Sequence, residues 1–211
     1  MVKRFFLDTN VIVHHIIFDK LSKREDPIKK GTPPYERYET AYKFIKKIIT
    51  EKDSNVYFIS LLVSGELCSA LLDEYKCHEM YKGGIPLSSW NINKNHIKLD
   101  GEKRLDLAQA IVNFESNNVC EANEEADKEE NKNKIWRSWD VYNFPLIYEF
   151  GFDHDLKSHD SILLSTAMFN TCDYFITLDK KLTEIGKLRN LVIINPQQAM
   201  EILNNEAKKK T

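Results

Sequence analysis

The chain has 211 residues, 42% of them hydrophobic, and a formal net charge of −2, which suits a globular protein with one substantial core. The charge excludes a uniformly basic nucleic-acid coat, although it allows a local basic surface. No apolar run reaches the roughly 18 residues of a membrane span, and the N-terminal apolar stretch is broken at Asp8 and Asn10, so we expect a cytoplasmic protein with no membrane partner.

The first third of the chain alternates apolar segments of strand and helix type. Short β-branched or aromatic runs predict strands, and apolar residues at helical spacing predict helices. Asn10 is expected to cap the first helix and Ser60 the third. In order, we predict a strand, a helix, a loop, a helix, a strand and a helix at residues 5–7, 11–18, 21–35, 38–49, 56–59 and 61–71.

The middle of the chain has a different composition, with glycines and asparagines followed by a long charged run. We predict that residues 77–152 form a helical insertion that packs beside the sheet, within a single domain spanning residues 1–211. The last third again alternates: a helix at 162–168, strands at 174–178 and 191–194, and a helix from Pro196. This order predicts an α/β fold with a central, mainly parallel sheet and helices on both faces.

Four acidic residues stand where strands end or helices begin. Asp8 ends the first strand, Glu66 lies early in the helix after the second, Asp160 opens a compact helix, and Asp179 ends the strand after it. The carboxyl ends of parallel strands form the edge where α/β proteins bind ligands, so these four side chains should meet there. Carboxylates without matching cysteine or histidine ligands suit a hard cation such as Mg²⁺ or Mn²⁺.

Each acid also has a purely structural interpretation. Asp8 and Asp160 could cap the helices that they precede or open, Asp179 could be a turn residue, and Glu66 could pair with a lysine. It is their joint placement that favours a functional site. Asp153 or Asp155 could replace Asp160 as the third acid.

The acidic segments together resemble the PIN domain family, a metal-dependent nuclease fold. The matching segments are Phe6-Leu7-Asp8-Thr9-Asn10, Ser60 to Glu66, His159 to Ala167, and Phe175-Ile176-Thr177-Leu178-Asp179. The closing Ile193-Ile194-Asn195-Pro196 is similar to the last strand and helix entry of that family. The resemblance covers roughly residues 3–75 and 155–204, and the insertion between them matches no motif.

The resemblance implies a PIN-like three-layer fold and an endoribonuclease of the toxin type. Asp8, Glu66, Asp160 and Asp179 would be the quartet that holds Mg²⁺ or Mn²⁺, with Asn10 and Thr177 as supporting residues. The substrate would be RNA, and an antitoxin protein or a second copy of the chain would be a partner. Basic side chains near the site would meet the phosphate backbone; candidates are Lys20, Lys23, Arg24, Lys29, Lys30, Lys180 and Lys181.

Two other functions remain open from the sequence. The chain could be a PIN-like module that binds RNA or protein without cutting, although such a module has no need for four converging carboxylates. It could also be a phosphatase with Asp8 as nucleophile. The common form of that site has a second aspartate two residues later, where this chain has Asn10.

Overall fold

A seven-stranded sheet forms the centre of the protein in the computed structural model, which describes residues 2–23, 29–51, 53–121 and 135–209. Its strands lie in the order β3-β4-β2-β1-β5-β7-β6. All neighbouring strands are parallel except β6 and β7. The strands are β1 Arg4–Leu7, β2 Val56–Ser60, β3 Val119–Glu121, β4 Ile135–Ser138, β5 Tyr174–Ile176, β6 Lys187–Leu188 and β7 Leu191–Ile194.

Helices connect the parallel strands and flank the sheet, which gives a three-layer α/β arrangement. The predicted α/β class with a mainly parallel sheet is therefore confirmed. No helix in the described ranges is both long and apolar enough to cross a membrane. The helices are α1 Thr9–Ser22, α2 Pro33–Thr50, α3 Leu61–Lys82, α4 Trp90–Asn93, α5 Gly101–Asn118, α6 Phe144–His154, α7 Ser158–Phe169, α8 Lys180–Ile185 and α9 Pro196–Lys209.

Strand β1 lies near the middle of the sheet, and its sequence explains why. Phe5, Phe6 and Leu7 are fully buried, as expected for a continuous apolar run covered on both faces. Each such side chain stabilises the fold by about 1.5–3 kcal/mol through burial. Leu7 pairs with Ile176 of β5, so the residues that follow both strands lie together at the carboxyl edge of the sheet.

The segment 77–152 differs from the helical insertion that the sequence predicts. Its start lies inside α3, and it contributes two strands, β3 and β4, to the sheet itself. Ile135 and Trp136 pair in parallel with Tyr57 and Phe58 of β2. Pairing with a neighbouring strand stabilises an apolar, aromatic run such as this one as a strand. The prediction of a helical insertion did not take that pairing into account. Residues 122–134, which hold most of the charged run, lie outside the described residues.

The first helix begins earlier than predicted, and its cap is a different residue. Asp8, not Asn10, has the extended backbone of a cap, and its Oδ1 accepts a hydrogen bond from the Thr9 backbone N–H at 2.7 Å. A strand that ends directly at a helix needs an acceptor at the junction, and Asp8 supplies it. Asn10 lies in the first turn of α1, so its amide is available for other contacts.

Candidate functional site

The four predicted carboxylates line a single cleft of about 390 Å³ at the edge of the sheet where β1 and β5 end. Asp8 follows β1, Asp179 follows β5 by three residues, Glu66 lies in the second turn of α3, and Asp160 lies in the first turn of α7. The structure thus brings together side chains separated by up to 171 positions in the printed sequence, from Asp8 to Asp179. Parallel connectivity accounts for this, because every strand delivers its end to the same edge.

Asp8 is held by three hydrogen bonds at the floor of the cleft. Besides the Thr9 backbone N–H on Oδ1, its Oδ2 accepts from Asn10 Nδ2 at 2.7 Å and from Thr177 Oγ1 at 2.6 Å. The side chain is only 8% exposed. These donors fix both carboxylate oxygens in place, so the Asp8 side chain is already oriented before a ligand binds in the cleft.

Asn10 and Thr177, the predicted supporting residues, both contact Asp8 and each other. Asn10 Nδ2 also lies 3.1 Å from Thr177 Oγ1, and Asn10 Oδ1 accepts from the Leu178 backbone N–H at 3.0 Å. Thr177 is fully buried, and its Oγ1 accepts from the Asp179 backbone N–H at 3.0 Å. The two residues therefore tie the end of β1, the start of α1 and the Asp179 turn together.

The other three carboxylates are each engaged by a neighbour. Glu66 Oε2 accepts from Thr9 Oγ1 at 2.7 Å, which links α3 to the start of α1. Asp160 Oδ1 lies 2.8 Å from His159 Nε2. Asp179 is exposed and caps α8 by accepting from the Lys181 backbone N–H at 2.7 Å. A ligand that binds one of these carboxylates must therefore either share it with its present partner or displace that partner.

Burial and mutual repulsion make ionisation costly in the cleft. Burial raises the pKa of Asp8 to about 6; hydrogen bonds from Thr177 and Thr9 limit the rise, and the charges of Asp160 and Glu66 add to it. Burial also raises the pKa of Asp160, which His159 opposes and Asp179 reinforces. Carboxylates with raised pKa values in one cleft are typical of functional sites.

The donor chemistry of the cleft fits a hard divalent cation, because four carboxylates offer oxygen ligands at one place. The arrangement of the side chains fits a bound metal less well than their chemistry does. Within residues 2–23, 29–51, 53–121 and 135–209, no three histidine, cysteine, aspartate or glutamate side chains are arranged as a group that would hold a metal as they stand. Glu66 instead accepts a hydrogen bond from Thr9, and Asp160 lies against the His159 imidazole.

The cleft also contains residues that the sequence analysis does not predict. His14, Asp73, Glu74 and Lys94 line it, together with Thr9 and His159. Helical spacing offered a signal for several of them. His14 follows Asn10 by one turn of α1, and Asp73 and Glu74 follow Glu66 by two turns of α3, so they extend the same helix faces away from the sheet edge.

Lys20 and Lys23, two of the basic residues predicted near the site, do not line this cleft. Lys20 and Lys23 stand at the far end of α1, pair with Asp106 and Asp19, and line a different cleft. The helix carries them away from the strand end, at about 1.5 Å per residue. Arg24 lies outside the described residues. Lys94, which pairs with Asp73 at 2.6 Å, is a cation of the cleft itself.

The alternative third acids, Asp153 and Asp155, are exposed and do not line the cleft. Asp155 instead pairs with the Lys181 ammonium through its carboxylate at 2.9 Å and its backbone carbonyl. Among the candidates for that place, Asp160 is the residue that the structure puts beside the other three acids.

No model of a known protein family matches this chain, and no curated protein is similar to it in sequence.

Proposed function

We propose that the protein is a metal-dependent endoribonuclease that hydrolyses RNA phosphodiester bonds. The observation that supports this proposal is the lining of one cleft by Asp8, Glu66, Asp160 and Asp179. Like charges gathered in a half-buried site repel, so the arrangement is stable only when protons or cations offset them. A cleft open to solvent at a sheet edge is also accessible to an extended polymer.

In this mechanism the four carboxylates would hold Mg²⁺ or Mn²⁺. The bound ion would supply a more acidic water and would stabilise charge on the phosphate oxygens. Asn10 and Thr177 orient Asp8 through their contacts with its Oδ2. His159 contacts Asp160 at the rim of the cleft, with its Nε2 2.8 Å from Asp160 Oδ1. Lys180 and Lys181, exposed next to Asp179, would bind backbone phosphates.

A cleavage assay tests the proposal directly. The purified protein is incubated with a mixed RNA pool and either Mn²⁺ or chelator, and the cut ends are sequenced. We expect cleavage that requires the metal and is lost in Asp8→Asn and Asp160→Asn. Glu201→Gln removes an exposed carboxylate on α9 and should cleave like the wild type. If Asp8→Asn and the wild type cleave at the same rate, the assignment is wrong.

The second candidate is a binding module that does not cut. It is favoured by the lack of a ready three-residue metal group among the described side chains. Calorimetric titration with Mn²⁺ separates the two functions. A nuclease site should bind Mn²⁺ in the wild type and lose that binding in Asp8→Asn, whereas a binding module should release no heat in either protein. The toxin role, the antitoxin and the second-copy partner stay predictions.

A further inference from the structure

A separate cavity of about 470 Å³ lies between the start of α2 and the end of α3. The segment after α3, residues 84–90, closes one side of it. Its walls are mainly apolar and aromatic, which is typical of pockets for small planar ligands. The residues that shape it are Pro33, Pro34, Tyr38, Tyr81, Leu87 and Trp90.

The cavity has an aromatic ring held in place by a hydrogen bond and an entrance that is open to solvent. Trp90 Nε1 donates to the Ile85 carbonyl oxygen at 2.9 Å, which fixes the indole plane. Leu87 and Tyr81 are exposed, with 74% and 39% of their surfaces in solvent, so they form the entrance. Arg37 also lines the cavity and supplies guanidinium donors. Flat walls with a few hydrogen-bond donors suit a nucleobase, which has two π faces and a polar edge.

This cavity and the carboxylate cleft share a wall. Glu74 lines the cleft and accepts from Arg37 at 2.6 Å and from the Tyr38 hydroxyl at 3.0 Å, and both donors line the cavity. His14 lines the cleft, and its ring packs nearly perpendicular to the Tyr38 ring, with centroids 4.8 Å apart. One layer of side chains therefore separates the two sites.

The segment that follows α3 gives a second link between the cavity and the carboxylate cleft. Trp90 lines the cavity, and Lys94, four residues later in consecutive helical turns, lines the cleft. The backbone positions of Trp90 and Lys94 are therefore only about 6 Å apart along the helix axis. An RNA strand whose scissile phosphate lies at the carboxylates would therefore have neighbouring nucleotides close to the cavity.

We propose that this cavity holds an unpaired nucleobase of the RNA, flipped out of the strand near the cut, and so selects the cleavage site. The choice of ligand rests on the proposed nuclease function. A duplex cannot present a base in this way without unpairing it, so the inferred substrate is single-stranded RNA.

Cysteine protection tests occupancy without any cleavage. Cys77 lines the cavity, whereas Cys68 is exposed elsewhere on α3 and serves as an internal control. Burial and the nearby Glu74 raise the pKa of the Cys77 thiol, so iodoacetamide is applied at mildly alkaline pH. With chelator present, short single-stranded RNA should slow alkylation of Cys77 and leave Cys68 unchanged. An abasic strand of the same length should not protect.

Substitution at the entrance tests the stacking contact. Tyr81→Ala should weaken protection of Cys77 by about fivefold to 150-fold, the range for loss of one base–aromatic contact, and Tyr81→Phe should restore it. Tyr142→Ala removes another exposed tyrosine, outside the cavity, and should have no effect. In cleavage products, Tyr81→Ala should relax the base preference at one position near the cut.

The outcomes separate this inference from the proposed function. Cleavage by the wild type with equal protection by RNA and abasic strands would overturn the base pocket and leave the nuclease assignment intact. Base-dependent protection in a protein that never cuts would support the pocket and refute the nuclease. An unchanged base preference in Tyr81→Ala, in a protein that still cuts, would also overturn the pocket.

Discussion

Asp8→Asn is expected to abolish cleavage and yet to stabilise the fold at neutral pH. Burial raises the pKa of Asp8 from 3.8 to about 6. A carboxyl group with a higher pKa in the folded chain than in the unfolded chain binds its proton more tightly when folded. The stability that it contributes is therefore present at low pH and is lost as the pH rises from about 4 through about 6.

The size of this effect follows from the pKa difference. One pKa unit corresponds to about 1.4 kcal/mol, so ionised Asp8 lowers the free energy of unfolding by about 3 kcal/mol at pH 7.5. Between about pH 4 and pH 7.5 the change is roughly 2–3 kcal/mol. With 8% of Asp8 exposed, solvent provides little screening. The substituted amide cannot accept every hydrogen bond, but that cost of about 1 kcal/mol is the same at both pH values and cancels.

Urea unfolding, followed by the fluorescence of the three tryptophans, measures this difference. Wild type, Asp8→Asn and the control Glu201→Gln are compared with chelator at about pH 4 and pH 7.5. The stability of Asp8→Asn relative to wild type should be roughly 2–3 kcal/mol greater at the higher pH. An equal difference at both pH values would refute the idea that the folded protein keeps a costly buried charge at Asp8.

Three further results are expected. Thr177→Val removes the hydroxyl that donates to Asp8 and accepts from Asp179, and it should lower the cleavage rate by about 10–100-fold with an unchanged circular dichroism spectrum; a wild-type rate would rule out the supporting role. Burial alone would raise the pKa of Glu74, but His14 and Arg37 lower it to about 2. The wild type should therefore have a free energy of unfolding about 3 kcal/mol greater than that of Glu74→Gln above about pH 4.5, and this difference should disappear as the pH falls through about 2. Acid titration of both proteins measures it, and an advantage that grows in acid would contradict it. Mn²⁺ at about 100 times its dissociation constant should stabilise the wild type, but not Asp8→Asn, by about 2.7 kcal/mol in thermal unfolding; equal stabilisation of both would place the ion elsewhere.

Much of the fold was accessible from local sequence. The apolar runs before Asp8 and before Thr177 predict buried strands because only a sheet covered on both faces accommodates them. Parallel connectivity then directs the strand ends to one edge, so the meeting of Asp8, Glu66, Asp160 and Asp179 in one cleft follows from chain order alone. Local periodicity does not predict strands β3 and β4, because their stability depends on strand pairing: β4 pairs with β2, and β3 pairs with β4.

What the sequence determined by itself is the identity and order of the acidic residues and the edge to which they are delivered. Only the tertiary structure decided that Thr9 bonds to Glu66 and that His159 contacts Asp160, and it showed that Thr177, predicted as a supporting residue, bonds to Asp8. It also decided that Glu74 links the carboxylate cleft to an aromatic cavity. The physical reason is that strand and helix patterns arise from neighbours along the chain, whereas hydrogen-bond partners and cavities depend on side chains that only folding brings within a few ångströms of each other.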